Sequence, residues 1–275
     1  MAVSSHMRGY SARQRATRRD TVRALGRAGF VARGIVYLLI GWIALLIALK
    51  HNALQADRTG ALQLIAGEPF GLVLLWFLAV GFAGMALWRV SQALHPTGRD
   101  ARKNGKRAAS AVRAVFYAAA CASTLTFILE HRVTGSSDQA SQDFTARAMA
   151  HRGGVLLVAL VGIALIAGGL ALVWRGASRS FAKNLQLGSM SAAKRRWVLR
   201  FGTVGNCARG VVFAAAGAFM LDAAVTYDPA RAKGIDSTLR TFAAATYGPV
   251  LLVLVAIGLA AFGLYSWGEA RWRRL

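Results

Sequence analysis

Six long apolar runs constrain this chain more than any other feature of its sequence. A helix needs about 20 residues, at a rise of ~1.5 Å each, to cross ~30 Å of hydrocarbon. With modest extension at their ends the runs reach that length; they lie at 35–49, 70–87, about 111–129, 155–173, about 205–224 and 250–264. Apolar residues make up 56% of the chain, above the roughly 45–50% of soluble domains. The sequence therefore predicts an all-α membrane protein with six transmembrane helices.

The distribution of charge predicts how these helices are oriented. The formal net charge is +23, yet the loops after the first, third and fifth runs each sum to zero. The excess of basic residues lies on the other side, in 8–33, 89–113, 175–209 and at Arg271, Arg273 and Arg274. Loops rich in Lys and Arg stay in the cytoplasm. We therefore expect a multi-pass protein of a bacterial inner membrane with both termini in the cytoplasm.

The same charge pattern bears on partners. Membrane topology already explains the basic loops, and they contain no folded recognition module, so no nucleic-acid partner is predicted. We expect contact with the bilayer, above all with anionic lipid headgroups on the cytoplasmic side. The sequence leaves open whether a protein partner or a second copy binds.

An internal repeat organises the six spans. A shift of about 176 residues superposes Ala32, Arg33 and Gly34 on Ala208, Arg209 and Gly210, with further identities along both arms. A more diverged middle copy places Arg113 where Arg33 falls. Because each copy starts and ends on the cytoplasmic side, the prediction is three two-helix hairpins in parallel orientation. The predicted units are a basic cytoplasmic tail at 1–21, hairpin repeats at 22–97, 106–177 and 198–275, and a cytoplasmic amphipathic linker at 178–197.

Small residues recur every seven positions along the first helix of a hairpin. Gly34 and Gly41 form such a stripe in the first repeat, and Gly210 and Gly217 form it in the third. Helices in lipid associate by close van der Waals contact, which small residues permit. We expect these glycines to pack helix against helix. The alternative of a phosphate-binding loop is disfavoured, since no strand precedes the glycines and no Walker lysine follows them.

Arg33, Arg113 and Arg209 are the most informative polar residues, because each lies about one turn inside the cytoplasmic end of its hairpin's first helix. One interpretation is that they extend to anionic headgroups and anchor the hairpins. The other is that they converge on a cytoplasm-facing vestibule that binds an anion or a phospholipid head. Glu269, near the end of the last span, is expected to pair with Arg209.

Short amphipathic segments are predicted outside the spans. Apolar spacing at 61–65 and 235–242 predicts two short interfacial helices in the outer loops. Phe181 and Leu185, at helical spacing in the linker, predict a segment that lies on the inner membrane surface.

Catalytic chemistry finds no support in the sequence. No cluster of His, Cys, Asp or Glu has metal-ligand spacing, and nucleophile motifs are missing from suitable contexts. Cys121 and Cys207 fall within spans at different depths and are expected to pack rather than to pair. We predict no catalytic residue, no metal and no cofactor, and therefore no enzyme.

Several segments resemble a known family. The segment Leu25-Gly26-Arg27-Ala28-Gly29-Phe30-Val31-Ala32-Arg33-Gly34, its echo at 202–210, the segment 227–234 and the ending 258–274 are similar to the bacterial domain-of-unknown-function 1206 family. The resemblance implies three tandem two-helix units in a bacterial inner membrane. It supplies no activity and no catalytic residues. The middle copy departs from it, with Val112-Arg113-Ala114 in place of Ala-Arg-Gly.

Two functions follow from this pattern. The first is a non-enzymatic membrane scaffold or lipid-interacting subunit, in which the arginines and basic loops engage anionic lipid. The alternative is a small transporter or channel with a central path around a pseudo-threefold axis. A path normally carries several polar groups at mid-membrane depth, and the span centres here hold few, so the first function is preferred.

Overall fold

The computed structural model describes residues 3–49, 56–94, 104–130 and 136–273 of the 275-residue chain. Lys50 and Arg132 of the charge-balanced loops, and Arg274 at the C-terminus, lie outside the described residues. Nine α-helices account for most of the described chain: α1 Val3–Ala48, α2 Arg58–Ala66, α3 Gly71–Leu94, α4 Asn104–Glu130, α5 Ser137–Met149, α6 Gly154–Ala177, α7 Ala192–Thr226, α8 Ile235–Ala244 and α9 Gly248–Trp272.

Six of these helices are long and apolar enough to cross a membrane, namely the Gly26–Ala48 part of α1, the Arg107–Glu130 part of α4, and α3, α6, α7 and α9. They coincide with the six predicted runs, so the all-α, six-span prediction is confirmed. The short helices α2, α5 and α8 connect the two arms of each hairpin. The sequence predicted α2 and α8 as helices and missed α5.

The N-terminal segment continues the first span. From Val3 onward the basic tail predicted at 1–21 is part of α1, which runs without a break to Ala48. Its 46 residues measure about 69 Å at 1.5 Å per residue. Arg, Ala and Gln favour helix in this stretch, so the basic segment continues the span as one rod that extends well beyond the hydrocarbon.

The six spans follow one another around an incomplete ring. The second span of each repeat packs against the first span of the next, giving the pairs α3 with α4, α6 with α7 and α9 with α1. Within repeats, α1 packs on α3 and α7 packs on α9. Along their described residues, α4 and α6 do not pack against each other, although they are the two arms of the second repeat. The ring is therefore open between α4 and α6.

Glycines set the close approach of α1 to α9. A Cβ added to Gly34 would lie 2.9 Å from the carbonyl oxygen of Gly263. One added to Gly41 would lie 2.8 Å from the carbonyl oxygen of Ala256. Both distances are shorter than real Cβ contacts, so a larger residue would force the two helices apart.

The same geometry recurs between α7 and α6. A Cβ on Gly210 would lie 2.5 Å from the carbonyl oxygen of Gly169, and one on Gly217 would lie 2.7 Å from that of Gly162. The seven-residue stripes of both repeats thus face the second span of the preceding repeat. This is the threefold relation that the parallel hairpins imply.

The third of these contacts, between α3 and α4, uses larger residues. Ala114 is 5% exposed and occupies the position of Gly34 in the diverged repeat. Cys121, at the position of Gly41, directs its thiol to the carbonyl oxygen of Ala79 at 3.4 Å. The cysteine thus serves as a small packing residue.

The middle of the ring is filled by apolar side chains. Val36, Phe82, Tyr117, Val212 and Leu259 belong to one buried cluster that draws on five of the six spans. The ring of Phe82 stacks on that of Tyr117 with centroids 6.4 Å apart. Dispersion contacts and close packing in this cluster hold the spans together.

We call the end that carries α2, α5 and α8 the cap end. There, three aspartates link the short helices in a closed circuit. Asp57 accepts from the backbone N–H of Ser137 at the start of α5, at 2.8 Å. Asp138 accepts from that of Gly234 ahead of α8, at 2.7 Å. The circuit closes where Asp236 accepts from that of Ala56 ahead of α2, at 2.7 Å.

Each of these aspartates satisfies an N–H that a helix start leaves without an intrahelical partner. Asp57 and Asp236 are 1% and 5% exposed. Their carboxylates are therefore held by hydrogen bonds inside the protein, which for Asp236 include one from the Nε of Arg240 at 2.9 Å.

The linker 178–197 is not the surface-lying segment expected from its apolar spacing. It forms two short 3₁₀ turns, Ser180–Asn184 and Leu187–Ser189, before α7 begins at Ala192. Phe181 and Leu185 are both 2% exposed and pack inside the protein, in a cluster that includes Tyr265. The prediction that they lie on the membrane surface is wrong, because α7 and α9 offer these side chains a protein core.

Candidate functional site

Five of the six spans, and the residue directly after the sixth, place an arginine in one cluster at the end opposite the caps. We call this end the arginine end. The arginine cluster comprises Arg33 of α1, Arg89 of α3, Arg113 of α4, Arg175 of α6, Arg209 of α7 and Arg273 directly after α9, together with the carboxylate Glu269. Six guanidiniums and one carboxylate leave five positive charges without an acid in the cluster.

Arg33, Glu269 and Arg273 form the ion-paired part of the cluster. Glu269 accepts a hydrogen bond from the guanidinium of Arg33 through one oxygen and from that of Arg273 through the other. Arg33 also donates to the hydroxyl of Ser266 at 3.1 Å. The Glu269 side chain is only 6% exposed, so this carboxylate needs both partners to offset its burial.

The expected pairing of Glu269 with Arg209 is wrong. Arg33 takes that place because α9 packs directly against α1, and the helix periodicity brings Glu269 and Ser266 to the α1 side. The carboxylate of the third repeat thus neutralises an arginine of the first.

Arg209 lies among aromatic rings instead. Its guanidinium carbon is 4.2 Å from the ring centroid of Phe262, 5.0 Å from that of Tyr37 and 5.3 Å from that of Phe213. Such contacts favour a cation and do not use its N–H donors. The Nε atom of Arg209 is buried and has no hydrogen-bond acceptor. Arg209 thus keeps donor capacity for a ligand.

Arg33 lies close to Arg209, since the guanidinium carbon of Arg33 is 4.9 Å from the centroid of the same Phe262 ring. The phenol of Tyr117, from the second repeat, also lies near the Arg33 side chain. Two of the three arginines singled out from the sequence therefore meet in the interior. The third, Arg113, is exposed and lies at the edge of the cluster.

Arg89 is the most enclosed arginine that the sequence did not single out. It is 6% exposed, stacks on Trp88 at 4.4 Å and donates to the amide oxygen of Gln92 at 3.0 Å. Its Nε atom is also buried without an acceptor. A second buried guanidinium with an unused donor therefore belongs to the cluster.

The charge of the cluster is uneven among the repeats. Counted from the glycines that start the second spans, Gln92, Arg175 and Glu269 occupy equivalent positions in α3, α6 and α9. The α9–α1 pair thus combines Glu269 with Arg33, whereas the α6–α7 pair combines Arg175 with Arg209. The excess positive charge therefore lies on the α3–α4 and α6–α7 pairs, each of which carries two arginines of the cluster and no carboxylate of the cluster.

Anion binding is the chemistry that this arrangement favours. Guanidiniums present planar forks of donors that match phosphate and carboxylate. Among the described residues no group of three His, Cys, Asp or Glu side chains could hold a metal ion. Cys207 directs its thiol to the carbonyl oxygen of Val173 at 3.7 Å and lies in a helix contact.

Sequence reasoning missed Arg89, Arg175 and Arg273, as well as the aspartate circuit. The first two arginines were counted only as parts of basic loops, although both fall inside the last turns of apolar spans. The three aspartates were counted only in zero-sum loops. Each of these aspartates lies at the start of a short helix, where aspartate commonly caps backbone N–H groups. That position could have distinguished them from ordinary surface charges.

Comparison with known proteins supports the repeat. Residues 28–95, 108–179 and 204–273 each match the family described as Domain of Unknown Function (DUF1206). The chain is 29% identical over 248 residues to the uncharacterized protein YxxB of Bacillus subtilis (strain 168), an alignment that covers 89% of each chain. No solved structure matches the chain. The three matched segments span most of the sequence and confirm the three repeats, and the chain belongs to the Domain of Unknown Function (DUF1206) family.

Proposed function

We propose that this chain is a non-enzymatic protein of a bacterial inner membrane, a scaffold or lipid-interacting subunit whose arginine cluster holds anionic lipid headgroups. The positive-inside rule supports a cytoplasmic arginine end, with both termini in the cytoplasm. On that side the leaflet carries a negative surface potential. The Bacillus relative supports a bacterial origin.

One observation carries the proposal. Five spans and the residue directly after the sixth place an arginine at the same end, and among the described side chains of this cluster Glu269 is the one carboxylate. Uncompensated charge near hydrocarbon is costly unless a counter-charge accompanies it. An anionic headgroup supplies such a charge at the depth where these side chains end.

A transporter or channel is the second candidate, and the ring-like order of the spans is the observation in its favour. The buried apolar cluster in the middle of the ring weighs against a central path. The aspartate circuit at the cap end also ties together the three helices that a path would have to separate. Both features suit a scaffold better.

The test is lipid retention on purification. The double variant Arg113→Gln/Arg209→Gln removes two positive charges that have no carboxylate partner. The control Arg147→Gln/Arg231→Gln removes two exposed charges at the cap end. We expect native mass spectrometry to show roughly tenfold weaker retention of anionic phospholipid in the first variant, as the loss of one charge-assisted hydrogen bond implies. The control should match the wild type.

Equal retention in all three proteins would rule out the headgroup site. Flux of a solute through proteoliposomes above the level of empty liposomes would favour the transporter instead.

A further inference from the structure

The opening between α4 and α6 is the feature of the fold that the scaffold role leaves unexplained. Each of the other neighbouring spans in the ring is packed against its neighbour. The short helix α5 connects α4 and α6 at the cap end, but the two spans do not close on each other along their described lengths. We call this opening the lateral cleft.

The α4 wall of the cleft is apolar. Cys121 points to α3, and Phe116, five residues earlier, lies about 140° around the helix from it. Phe116 is 63% exposed although its ring contacts that of Tyr117, with centroids 5.8 Å apart. An aromatic side chain on the flank turned away from α3 therefore faces no packed span of this chain.

The α6 wall contains small residues. One stripe of α6, which includes Gly162 and Gly169, is buried against α7. Gly168 lies outside that stripe, and a Cβ added there would meet no atom within 4 Å. Arg175 follows two turns later on the same face as Gly168, because seven residues complete nearly two turns. This face of α6 therefore has open space beside Gly168 and a guanidinium, that of Arg175, at the arginine end.

Positive charge collects at the arginine end of the cleft. Of the charged groups around Arg113, Arg175 acts on it most strongly, and Arg273 and Arg209 also repel it. Among the described residues, no carboxylate is one of its principal electrostatic partners. Like charges on opposite walls of an opening oppose its closure and attract an anion.

We propose that one anionic phospholipid occupies the lateral cleft, with its phosphate between Arg113 and Arg175 and an acyl chain along the α6 face that carries Gly168. The inference rests on the proposed function and specifies where the headgroup and the acyl chain of the lipid bind. Arginine forks match the phosphate oxygens. Open space beside Gly168 and the exposed ring of Phe116 match a hydrocarbon chain.

A phospholipid fits better than the other occupants. A free phosphate would satisfy the arginines and leave the apolar walls unfilled. A second copy of the chain would bring its own excess of basic residues to an already positive opening. Only a lipid combines a negative head with an apolar tail over the length of a span.

The first arm of the test fills the cleft. Gly168→Phe places a ring where no atom lies within 4 Å, so the fold should tolerate it. Leu170→Phe places the same ring at a residue that is 59% exposed on the same helix. We expect native mass spectrometry with vesicle-derived phosphatidylglycerol to show roughly tenfold weaker retention in Gly168→Phe and unchanged retention in Leu170→Phe. Gly168→Ala should retain the lipid and control for the loss of glycine.

The second arm locates the lipid. A photoreactive benzoylphenylalanine at Phe116 should give adducts enriched in anionic phospholipid over the bulk membrane, and Arg113→Gln/Arg175→Gln should abolish that enrichment. The same group at Trp76, an exposed residue of α3, should report the bulk composition.

The outcomes separate the two proposals. If anionic lipid is retained but Gly168→Phe has no effect and the adducts at Phe116 match the bulk, the cleft is not the site while the headgroup function stands. If native mass spectrometry shows inorganic phosphate bound to the protein and no lipid adduct forms at Phe116, the occupant is a free anion and the lipid assignment is overturned. If no anionic lipid is retained at all, both proposals fail.

Discussion

The two ends of this bundle use charge in opposite ways. At the cap end, Asp57, Asp138 and Asp236 each bond a backbone N–H that belongs to the start of another repeat's loop helix. At the arginine end, six guanidiniums share one carboxylate, and buried Nε atoms of Arg89 and Arg209 have no acceptor. The first end is closed by its charges, whereas the second retains donor capacity.

The difference shows how a threefold repeat can carry an asymmetric site. The cap end keeps the symmetry, since an aspartate at the start of each short helix bonds the start of the next. The arginine end breaks it, because equivalent positions hold Gln92, Arg175 and Glu269. The one negative side chain at this position lies in α9, so the excess charge stays on α3 with α4 and on α6 with α7, on the two sides of the cleft. We infer that divergence of the middle repeat created the opening.

Removal of the one carboxylate of the arginine cluster should have the largest effect. Glu269→Gln keeps the shape of the side chain but leaves Arg33 and Arg273, which are 11% and 16% exposed, without a counter-charge. Breaking a buried ion pair typically costs roughly 3–5 kcal/mol. We expect a clear drop in the thermal unfolding midpoint in detergent. The double variant Arg33→Gln/Glu269→Gln should lose less stability than the sum of the losses in the two single variants. Strictly additive losses would contradict the pairing of Arg33 with Glu269.

Opening the cap end should have the next largest effect. Asp57→Ala removes the acceptor for the N–H groups of Thr59, Gly60 and Ser137, and it should lower the free energy of unfolding by roughly 2–4 kcal/mol. Hydrogen exchange should show faster opening of both α2 and α5, since one side chain holds both. Asp143→Ala, an exposed position on α5, is the control and should change neither quantity. Faster hydrogen exchange in α2 but not in α5 would mean that the aspartate circuit does not couple the repeats.

A pair of adjacent glycines tests the closed side of the cleft. Gly169→Ala places a Cβ 2.5 Å from the carbonyl oxygen of Gly210 and should cost roughly 1–3 kcal/mol by separating α6 from α7. Gly168→Ala meets no atom within 4 Å and should leave the thermal midpoint unchanged or slightly raised, because Ala favours helix. Equal midpoints for the two variants would contradict the close contact of α6 with α7.

Exposed ion pairs at the cap end should matter least. Arg231 lies 3.2 Å from Asp222 and 3.7 Å from Asp228, but its side chain is 52% exposed. Arg231→Gln should therefore change the free energy of unfolding by about 0.5 kcal/mol or less. A loss as large as that of Asp57→Ala would show that surface pairs, rather than the buried aspartates, hold the caps.

Much of the fold follows from local sequence. Span length, loop charge and the repeated Ala-Arg-Gly pattern predict six helices in three hairpins, because hydrocarbon thickness leaves few other solutions. The helix α5 was missed because its apolar pattern is weak, and because its start depends on hydrogen bonds that the N–H groups of Ser137 and Gln139 donate to Asp57 and Ser136. The linker was misplaced because amphipathic spacing does not distinguish a lipid surface from a protein core.

Less of the site could be predicted. Arg33, Arg113 and Arg209 stood out because the repeat aligns them, and their common depth is a local property. The partner of Glu269 depends on which hairpin lies beside which, and the sequence within one hairpin favoured Arg209 over Arg33. The opening between α4 and α6 depends on the order of spans around the ring, which no single repeat encodes.

The most direct test of the central claim is the amount of anionic phospholipid that stays bound when charge is removed from one end or the other. We predict that Arg113→Gln/Arg175→Gln lowers that amount, measured by native mass spectrometry of protein extracted in mild detergent, whereas Arg147→Gln/Arg231→Gln leaves it at the wild-type level. Equal retention by both variants, at any level, would contradict the assignment of the lipid to the arginine end.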